Sequence, residues 1–327
     1  MQPIVWPFAM ILVAILWQPG KGEPAGSERP AAGRIYFWMN HRINTMSPDG
    51  NDPKVLPPFA VDDDYYYQVH SARLSPDGKR LAFGKAVLVL EGNTGAVYPP
   101  NKILIREIAK SEPAETVVDM SGVELHNWVW SPDGGKLAFV SWDEKNRSRN
   151  WIVDLKTKKV EPVTFPKVKT DKYGEIEPNI QAWTPDGARF VVSAQGLYLA
   201  KTDGSDMRPL THGPVNLFGG TCRFSPDGKQ LLYVTYNENK SNTLFVLNVA
   251  DGKSKAVVEA INFSAIHAAW SPDGQRIAYI TTLLDANGKR GEETNINVID
   301  ADGNNSTTII SEKHEPNVIR VTLMDWK

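Results

Sequence analysis

The 327-residue chain has an ordinary globular composition, with 41% hydrophobic and 23% charged residues and a formal net charge of −2. This balance provides no basic excess to neutralise phosphates, so we expect no nucleic-acid partner. The single cysteine, Cys222, excludes an intrachain disulfide, a CxxC zinc pair and an iron–sulfur cluster.

The first predicted element is a targeting segment. Residues 4–17 form an apolar run that only Pro7 interrupts, and a polar, helix-breaking stretch follows at residues 20–24. The run is shorter than the roughly 20 residues that a spanning helix needs. We therefore expect residues 1–30 to be a signal peptide and short linker, with cleavage within residues 19–33 and a periplasmic or secreted mature protein. Because the run has no basic residues before it, an uncleaved anchor is the alternative.

A five-residue phrase recurs five times in the rest of the chain. An aromatic residue or leucine precedes Ser or Thr, then Pro, Asp and Gly, at residues 74–78, 130–134, 183–187, 224–228 and 270–274. Ser or Thr accepts a local backbone hydrogen bond, Pro presets φ, Asp tolerates the bridge region and Gly takes positive φ. Each phrase therefore predicts a tight hairpin turn, and the unequal intervals indicate one repeated unit with loops of variable length.

Each turn leads into a predicted strand with alternating apolar residues. The alternating pairs are Leu81/Phe83, Leu137/Phe139, Phe190/Val192, Leu231/Tyr233 and Ile277/Tyr279. Further strands follow, and a second set of turns contains Asp-Gly at residues 203–204, 251–252 and 302–303. Four strands in about 40 to 55 residues are typical of a propeller blade.

Five phrases predict five blades, and the two ends of the chain supply a sixth. Residues 34–38 match the strand that follows a turn, whereas the Ser-Pro-Asp-Gly at residues 47–50 comes after the next strand and occupies the second turn position. The innermost strand of this blade is expected from residues 318–326, which match the strand that ends at Trp270. Pairing the two ends would close residues 31–327 into a six-bladed ring without open edges.

The five turns and their preceding aromatic residues resemble the TolB-like (WD40-like) propeller repeat, over roughly residues 34–326. The resemblance implies the fold, an exported location and protein binding as a common use, and it transfers no catalytic residue. The chain is expected to correspond to the propeller alone, without the N-terminal domain of the translocation protein. Four tryptophans recur at the same strand position, at residues 130, 183, 270 and 326, and we expect them to pack between the blades.

The uniform turns should share one face of the propeller, which we call the turn face. The opposite face, the variable face, would carry the loops at residues 57–68, 85–101, 142–149, 166–178, 236–242 and 282–293. Binding residues concentrate in variable loops on a rigid scaffold. We therefore expect partner contacts at the acidic-tyrosine segment, which comprises Asp62, Asp63, Asp64, Tyr65, Tyr66 and Tyr67, and at Trp142. A solvated charge run that leads into a strand is the alternative interpretation of this segment.

Three histidines lie near the starts of innermost strands, and Gln181 lies in the matching strand of another blade. The histidines are His70, His126 and His267. Imidazole nitrogens are common transition-metal ligands, so these four side chains could hold a metal at the channel mouth. The similar propeller of oligogalacturonate lyase implies such a site, with His and Gln ligands. Hydrogen bonds between blades are the alternative role.

These patterns predict a monomeric binding propeller with no resident cofactor and a protein or peptide partner, a small molecule or saccharide being a further possible ligand. A metal-dependent enzyme that acts on polysaccharides is the first alternative, and a metal ion would be its cofactor. A structural module of an envelope complex is the second.

Overall fold

The computed structural model describes residues 33–39, 42–57, 65–91, 94–110, 112–170, 174–211, 215, 217, 222–236, 242–259, 267–284, 290–313 and 321–327. Within residues 65–71, 85–91, 94–100, 236, 282–284, 290–292 and 321–324 it describes the backbone alone. Every regular element in these ranges is a β-strand. Six four-stranded antiparallel sheets form the blades of a propeller, which confirms the predicted fold class. Nothing in the described ranges forms a helix that is long and apolar enough to cross a membrane.

The first three blades follow one another along the chain, and the four strands of each blade run in order from the channel outward. Blade 1 contains β26 (Val321–Trp326), β1 (Ile35–Met39), β2 (Arg42–Met46) and β3 (Lys54–Val55). Blade 2 contains β4 (Tyr65–Leu74), β5 (Arg80–Glu91), β6 (Thr94–Glu107) and β7 (Glu115–Asp119). Blade 3 contains β8 (Val123–Trp130), β9 (Lys136–Asp143), β10 (Ser148–Asp154) and β11 (Val160–Val163).

The remaining blades repeat this order after a two-stranded hairpin of β12 (Val168–Thr170) and β13 (Gly174–Ile176). Blade 4 contains β14 (Asn179–Trp183), β15 (Arg189–Ser193), β16 (Leu197–Lys201) and β17 (Arg208–Pro209). Blade 5 contains β18 (Arg223–Phe224), β19 (Gln230–Tyr236), β20 (Asn242–Asn248) and β21 (Ser254–Glu259). Blade 6 contains β22 (Ala268–Trp270), β23 (Arg276–Leu284), β24 (Arg290–Asp300) and β25 (Thr307–Lys313).

The repeated phrase forms the same hydrogen-bonded turn in every copy, as blade 2 illustrates. The hydroxyl of Ser75 donates to Oδ1 of Asp77 at 2.5 Å and accepts the backbone N–H of Arg80 at 2.9 Å. The same Oδ1 accepts the backbone N–H of Lys79, and Gly78 has a φ of 70°. The predicted roles of Ser and Gly are therefore confirmed. The Asp contributes more than conformational tolerance, because its carboxylate accepts two hydrogen bonds within the turn.

The apolar core consists of six separate layers, one between each pair of neighbouring blades. The strand that follows each turn contributes apolar side chains to the layers on both sides of its blade, because successive side chains point to opposite faces. In β9, Leu137 and Phe139 pack against blade 2, whereas Ala138 packs against blade 4. In β23, Ile277 and Tyr279 likewise pack against blade 5, and Ala278 packs against blade 1. Each blade is thus apolar on both faces and requires a neighbour on each side.

The ring closes where β26 pairs with β1, as predicted. The register places Trp326 opposite Ile35, and the backbone N–H of Lys327 donates to the carbonyl of Arg34 at 2.9 Å. In blade 2 the same bond joins Ser75 to Arg80, so Lys327 occupies the position of the turn serine. A Cβ on Gly33, whose φ is 89°, would lie 2.6 Å from the carbonyl oxygen of Lys327. Glycine is therefore required at this seam.

Two of the loops predicted for the variable face are largely strand. Residues 85–101 form the long hairpin of β5 and β6, which pair as far as Glu91 and Thr94. Much of the loop predicted at residues 282–293 belongs to β23 and β24. The alternation of Val and Leu at residues 87–90 favours this extension, because β-branched and bulky apolar residues suit a pleated strand. The predicted loops were therefore too long where the hairpins continue beyond the ring.

Removing a buried side chain where β26 pairs with β1 tests how much the ring closure stabilises the fold. We expect Trp326→Ala to lower the free energy of unfolding by about 3 to 5 kcal/mol, since this indole is 2% exposed within the layer between blades 6 and 1. The matched control is Trp142→Ala, which removes a half-buried indole at the end of β9 and should cost less. Urea denaturation gives both values, and equal losses would contradict the closure as a principal source of stability.

The turn carboxylates predict a dependence of stability on pH. Hydrogen bonds from the turn hydroxyl and the backbone lower the pKa of Asp77, Asp133, Asp186 and Asp227, and the same bonds lower the pKa of Asp273 against the effect of its burial. A carboxyl whose folded pKa lies below its unfolded value of about 3.9 stabilises the fold above that value. This stabilisation is lost as the pH falls through the folded pKa.

We therefore expect urea midpoints of the wild type to fall between about pH 5 and pH 2. Asp133→Asn should lose less over this interval, because its turn no longer depends on an ionised carboxylate. Ser131→Ala removes the hydroxyl donor at 2.6 Å and should also flatten the profile. Parallel profiles for the wild type and both variants would rule out this role for the turn carboxylates.

Candidate functional site

A cavity of about 580 Å³ opens at the turn face, at the end of the central channel. We call it the funnel. Its walls come from the ends of the innermost strands and from the turns that follow them. The lining residues are Arg73, Leu74, Pro76, Asp77, Val129, Trp130, Ala182, Trp183, Cys222, Arg223, Phe224, Pro226, Trp270, Ser271, Pro272, Asp325, Trp326 and Lys327.

Indole side chains fix the funnel wall by bonding to the preceding blade. Trp130 donates its ring N–H to the carbonyl of Arg73 at 3.0 Å, and Trp270 donates to the carbonyl of Arg223 at 3.0 Å. Trp183 makes the equivalent bond to Val129 at 3.3 Å. The predicted role of these tryptophans in blade packing is confirmed, and their buried polar group is satisfied by the bond. Their rings also form part of the apolar wall.

The first residue of each phrase is aromatic or leucine, and Trp326 occupies that position in blade 1. The residue just before it, which we describe as preceding the phrase aromatic, has an equivalent position in all six blades. The six residues, from blade 1 to blade 6, are Asp325, Arg73, Val129, Ala182, Arg223 and Ala269. All but Ala269 line the funnel. The charged members belong to blades 1, 2 and 5, whereas blades 3 and 4 present small apolar side chains. The charged members therefore extend around the funnel from blade 5 through blade 1 to blade 2, which we call its charged side, and blades 3 and 4 form its apolar side.

The charged side centres on Asp325, which is 8% exposed. Its carboxylate lies 3.6 Å from Nη1 of Arg223 and 3.4 Å from Nζ of Lys327. Burial opposes ionisation of this carboxyl, but the two cations and the backbone N–H of Trp326 outweigh that effect and lower its pKa. Asp325 is therefore held ionised between two positive side chains.

Arg73 adds a second guanidinium from blade 2, which lies opposite blade 5 in the ring. Its side chain is buried, and its Nη1 donates to the carbonyl of Ala72 at 3.0 Å. Burial, together with repulsion by Arg223, lowers the pKa of Arg73 to about 9, and the attraction of Asp325 offsets this only in part. Cys222 precedes Arg223 and is buried between blades 4 and 5, and burial raises the pKa of its thiol to about 12. Cys222 is thus a packing residue, because the reactive thiolate is strongly disfavoured there.

The acidic-tyrosine segment lies only partly within the described residues. Asp62, Asp63 and Asp64 fall outside them. Tyr65, Tyr66 and Tyr67 belong to β4 and pair with β5, so they are strand residues and not the loop that the sequence predicted. Trp142, the other predicted contact, is half-buried near the end of β9 and pairs with Ser148. A partner site on the variable face stays a prediction.

The predicted metal ligands lie in four different blades. His126 is 45% exposed and its Nε2 lies 3.3 Å from a carboxylate oxygen of Glu124, whereas His267 is half-buried at the start of blade 6. Gln181 is buried and donates its amide to Ser193 at 2.8 Å. His70 lies in β4, where the backbone alone is described. Among the side chains that are described, no group of three His, Cys, Asp or Glu residues could hold a metal ion.

The charged residues of the funnel were not predicted from the sequence, although a signal for them was present. Three blades place Val129, Ala182 or Ala269 before the phrase aromatic, whereas the other three place a charged residue there. Aligning the six copies column by column exposes this difference. The alignment does not show that Arg73, Arg223 and Asp325 face one cavity, because that depends on the closure of the ring.

No protein-family model matches the chain. Among curated proteins it is 28% identical, over 162 residues, to the "Uncharacterized peptidase YuxL" of Bacillus subtilis (strain 168). The match covers 48% of this chain and 22% of that protein, so the chain spans well under two thirds of the length of this relative.

Solved structures share the fold at low sequence identity. TolB from Acinetobacter baumannii superimposes with a TM-score of 0.62 at 18% identity, over 92% of this chain and 69% of TolB. An oligogalacturonate lyase in complex with manganese superimposes with a TM-score of 0.50 at 14% identity, over 84% of this chain and 71% of the lyase. The first likeness supports the TolB-like propeller expected from the repeats, and at these identities both concern the fold alone.

Proposed function

We propose that the chain is an exported, non-enzymatic binding propeller that holds a segment of a protein or peptide partner at its central channel. The funnel carries this proposal. Ligand sites are typically concave, about 300 to 1,000 Å³ in volume, and mostly apolar with a few placed charges. The funnel has this size, aromatic and proline walls, and charges on one side.

The rigidity of the wall supports binding over catalysis. The indole bonds between blades fix the aromatic rings, so a bound segment need not order them, and preorganisation of this kind favours affinity. Among the described lining residues, Cys222 is not activated as a nucleophile, since its thiol is buried with its pKa at about 12. Gln181, a proposed ligand in the metal-dependent alternative, already donates to Ser193 and accepts from Asn127 at 3.2 Å. The polysaccharide-enzyme and structural-module alternatives remain predictions.

Selection from a random pool of acetylated pentapeptides tests the function and the face. We expect the immobilised protein to retain peptides that an albumin control does not. Phe224→Ala removes an aromatic ring from the funnel wall and should weaken the retained peptides by about tenfold, as for an interface anchor. Trp142→Ala, the matched change near the variable face, should leave their affinity unchanged.

The outcomes separate the possibilities. If the affinity for the retained peptides fell in Trp142→Ala but not in Phe224→Ala, the partner site would lie on the variable face and not in the funnel. The absence of any retained peptide would count against peptide binding itself.

Export is tested separately. The apolar run at residues 4–17 and the break after it predict a mature protein that begins between residues 19 and 34. N-terminal sequencing of the protein from an envelope or secreted fraction should find that start. An intact Met1 on protein from the cytoplasmic fraction would refute the signal peptide.

A further inference from the structure

A second cavity, of about 600 Å³, opens on the turn face between blades 3 and 4. We call it the interblade cavity. Its walls include Pro132 and Lys136 of blade 3 and Pro185 and Gly187 of blade 4. Trp183 lines both this cavity and the funnel, so the two are neighbours. A peptide segment held in the funnel can therefore extend into the interblade cavity.

The equivalent position between blades 2 and 3 holds an arginine side chain. Arg80 follows the turn of blade 2, and its Nη2 donates to the carbonyl of Gly134, in the turn of blade 3, at 2.7 Å. Its guanidinium carbon lies 4.8 Å from the ring centroid of Trp130. Where blade 6 meets blade 1, Arg276 likewise lies over the ring of Trp326, at 5.4 Å. The repeat thus places a guanidinium on the indole of the following blade, where a cation–π contact stabilises it.

Blade 3 has a lysine at this position. Lys136 corresponds to Arg80, because each is the fourth residue after its turn proline. Trp183 and Gly187 likewise correspond to the indole and the glycine that Arg80 contacts. Lys136 is exposed, and among the described side chains its ammonium forms no ion pair and no cation lies over the ring of Trp183. The position that a guanidinium fills between blades 2 and 3 is therefore open between blades 3 and 4.

The interblade cavity also offers acceptor atoms. The carboxylates of Asp133, Asp186 and Asp203 line it, and Oδ1 of each accepts a hydroxyl of its own turn at 2.6 Å. Hydrogen bonds within the turns lower the pKa of all three carboxyls, so they are ionised at neutral pH. No described residue donates to or pairs with their Oδ2 atoms, since the neighbouring cations act on them without contact. These oxygens are therefore available to a ligand with several N–H groups.

We infer that the interblade cavity takes an arginine side chain of the partner, with the guanidinium over the ring of Trp183 and its N–H groups on the carbonyl of Gly187 and the turn carboxylates. This rests on the proposed function and names a residue that the partner presents beside the funnel. A guanidinium is planar, stacks on aromatic rings and carries five donors, whereas an ammonium is a compact point charge. Its bonds to carboxylates are roughly twice as strong as neutral ones.

Three pools of acetylated, amidated pentapeptides test the side chain. All have random flanks without Lys or Arg, and the central residue is arginine, lysine or citrulline, the uncharged isostere of arginine. We expect the arginine pool to be retained about tenfold more tightly than the citrulline pool, a difference of roughly 1.4 kcal/mol. Equal retention of these two pools would overturn the inference and leave peptide binding intact. Equal retention of the arginine and lysine pools would refute recognition of a guanidinium.

Lys136→Arg assigns the preference to the interblade cavity. This variant supplies the guanidinium from the chain itself, as Arg80 does between blades 2 and 3, and it should abolish the preference for arginine over citrulline. Lys159→Arg is the matched control, because Lys159 is exposed at the outer edge of blade 3, where it pairs with Glu161 at 2.6 Å. It should leave the preference unchanged.

Asp203→Asn tests the acceptors, since it removes a charge and keeps an oxygen for the turn. We expect the preference for arginine to fall several-fold. Asp251→Asn, the same change at the equivalent turn of blade 5, should leave it unchanged. Thermal melts confirm that each variant is folded. A preference that survives both Lys136→Arg and Asp203→Asn would refute the assignment to this cavity.

Nuclear magnetic resonance tests the site without a peptide pool. The indole N–H signal of Trp183 is the one that Trp183→Phe removes. We expect N-acetylarginine amide to shift this signal more than N-acetylcitrulline amide does, and the difference to vanish in Lys136→Arg. Equal shifts in the wild type would overturn the inference even if peptides bind. A shift specific to arginine with no retained peptide would support the arginine site and refute the peptide partner.

Discussion

The whole structure depends on the fact that each blade is apolar on both faces. An antiparallel sheet can leave one face in water, but a blade with core residues on both faces cannot. In β19, Leu231 and Tyr233 pack towards blade 4, whereas Leu232 and Val234 pack towards blade 6. Every blade must therefore be covered on both sides, and a chain of such units satisfies this only by closing on itself. The pairing of β26 with β1 is thus a consequence of the alternation within each strand.

Closure also creates the funnel. It aligns the ends of six innermost strands around one axis, which brings Arg73, Arg223 and Asp325 together from sequence positions far apart. The repeated turn sets the depth of each strand end, and the indole bonds hold neighbouring ends at a fixed distance. Lys327 replaces a turn serine at the seam, and its side chain reaches Asp325. The pairing of β26 with β1 therefore closes the ring and also places Lys327 and Asp325 at the funnel.

Most of the fold could be predicted from the repeat, because the hydrogen bonds of its turn join residues that are close in sequence. Ser75, Asp77 and Gly78 act within a few residues of each other, so their pattern predicts their geometry. The extent of the hairpin of β5 and β6 does not follow from the repeat in this way, because the phrase does not determine how far a hairpin continues away from its turn. The same holds for Tyr65–Tyr67, which pair with β5 at the end far from the turn.

The site was harder to predict because it consists of exceptions to the repeat. A small apolar residue before the phrase aromatic is the arrangement that packing favours, as Ala182 and Ala269 show. A buried arginine at that position loses hydration, and a nearby guanidinium adds repulsion. Six apolar layers stabilise the fold, but they do not explain why an arginine is buried at that position. Departures from local consistency concentrate at functional sites, where binding offsets what the free protein loses. The ion pair of Arg223 with Asp325 at 3.6 Å joins blades 5 and 1 across the end of the channel, so the charged strand ends contribute to the ring as well as to the funnel in which we propose that a partner binds.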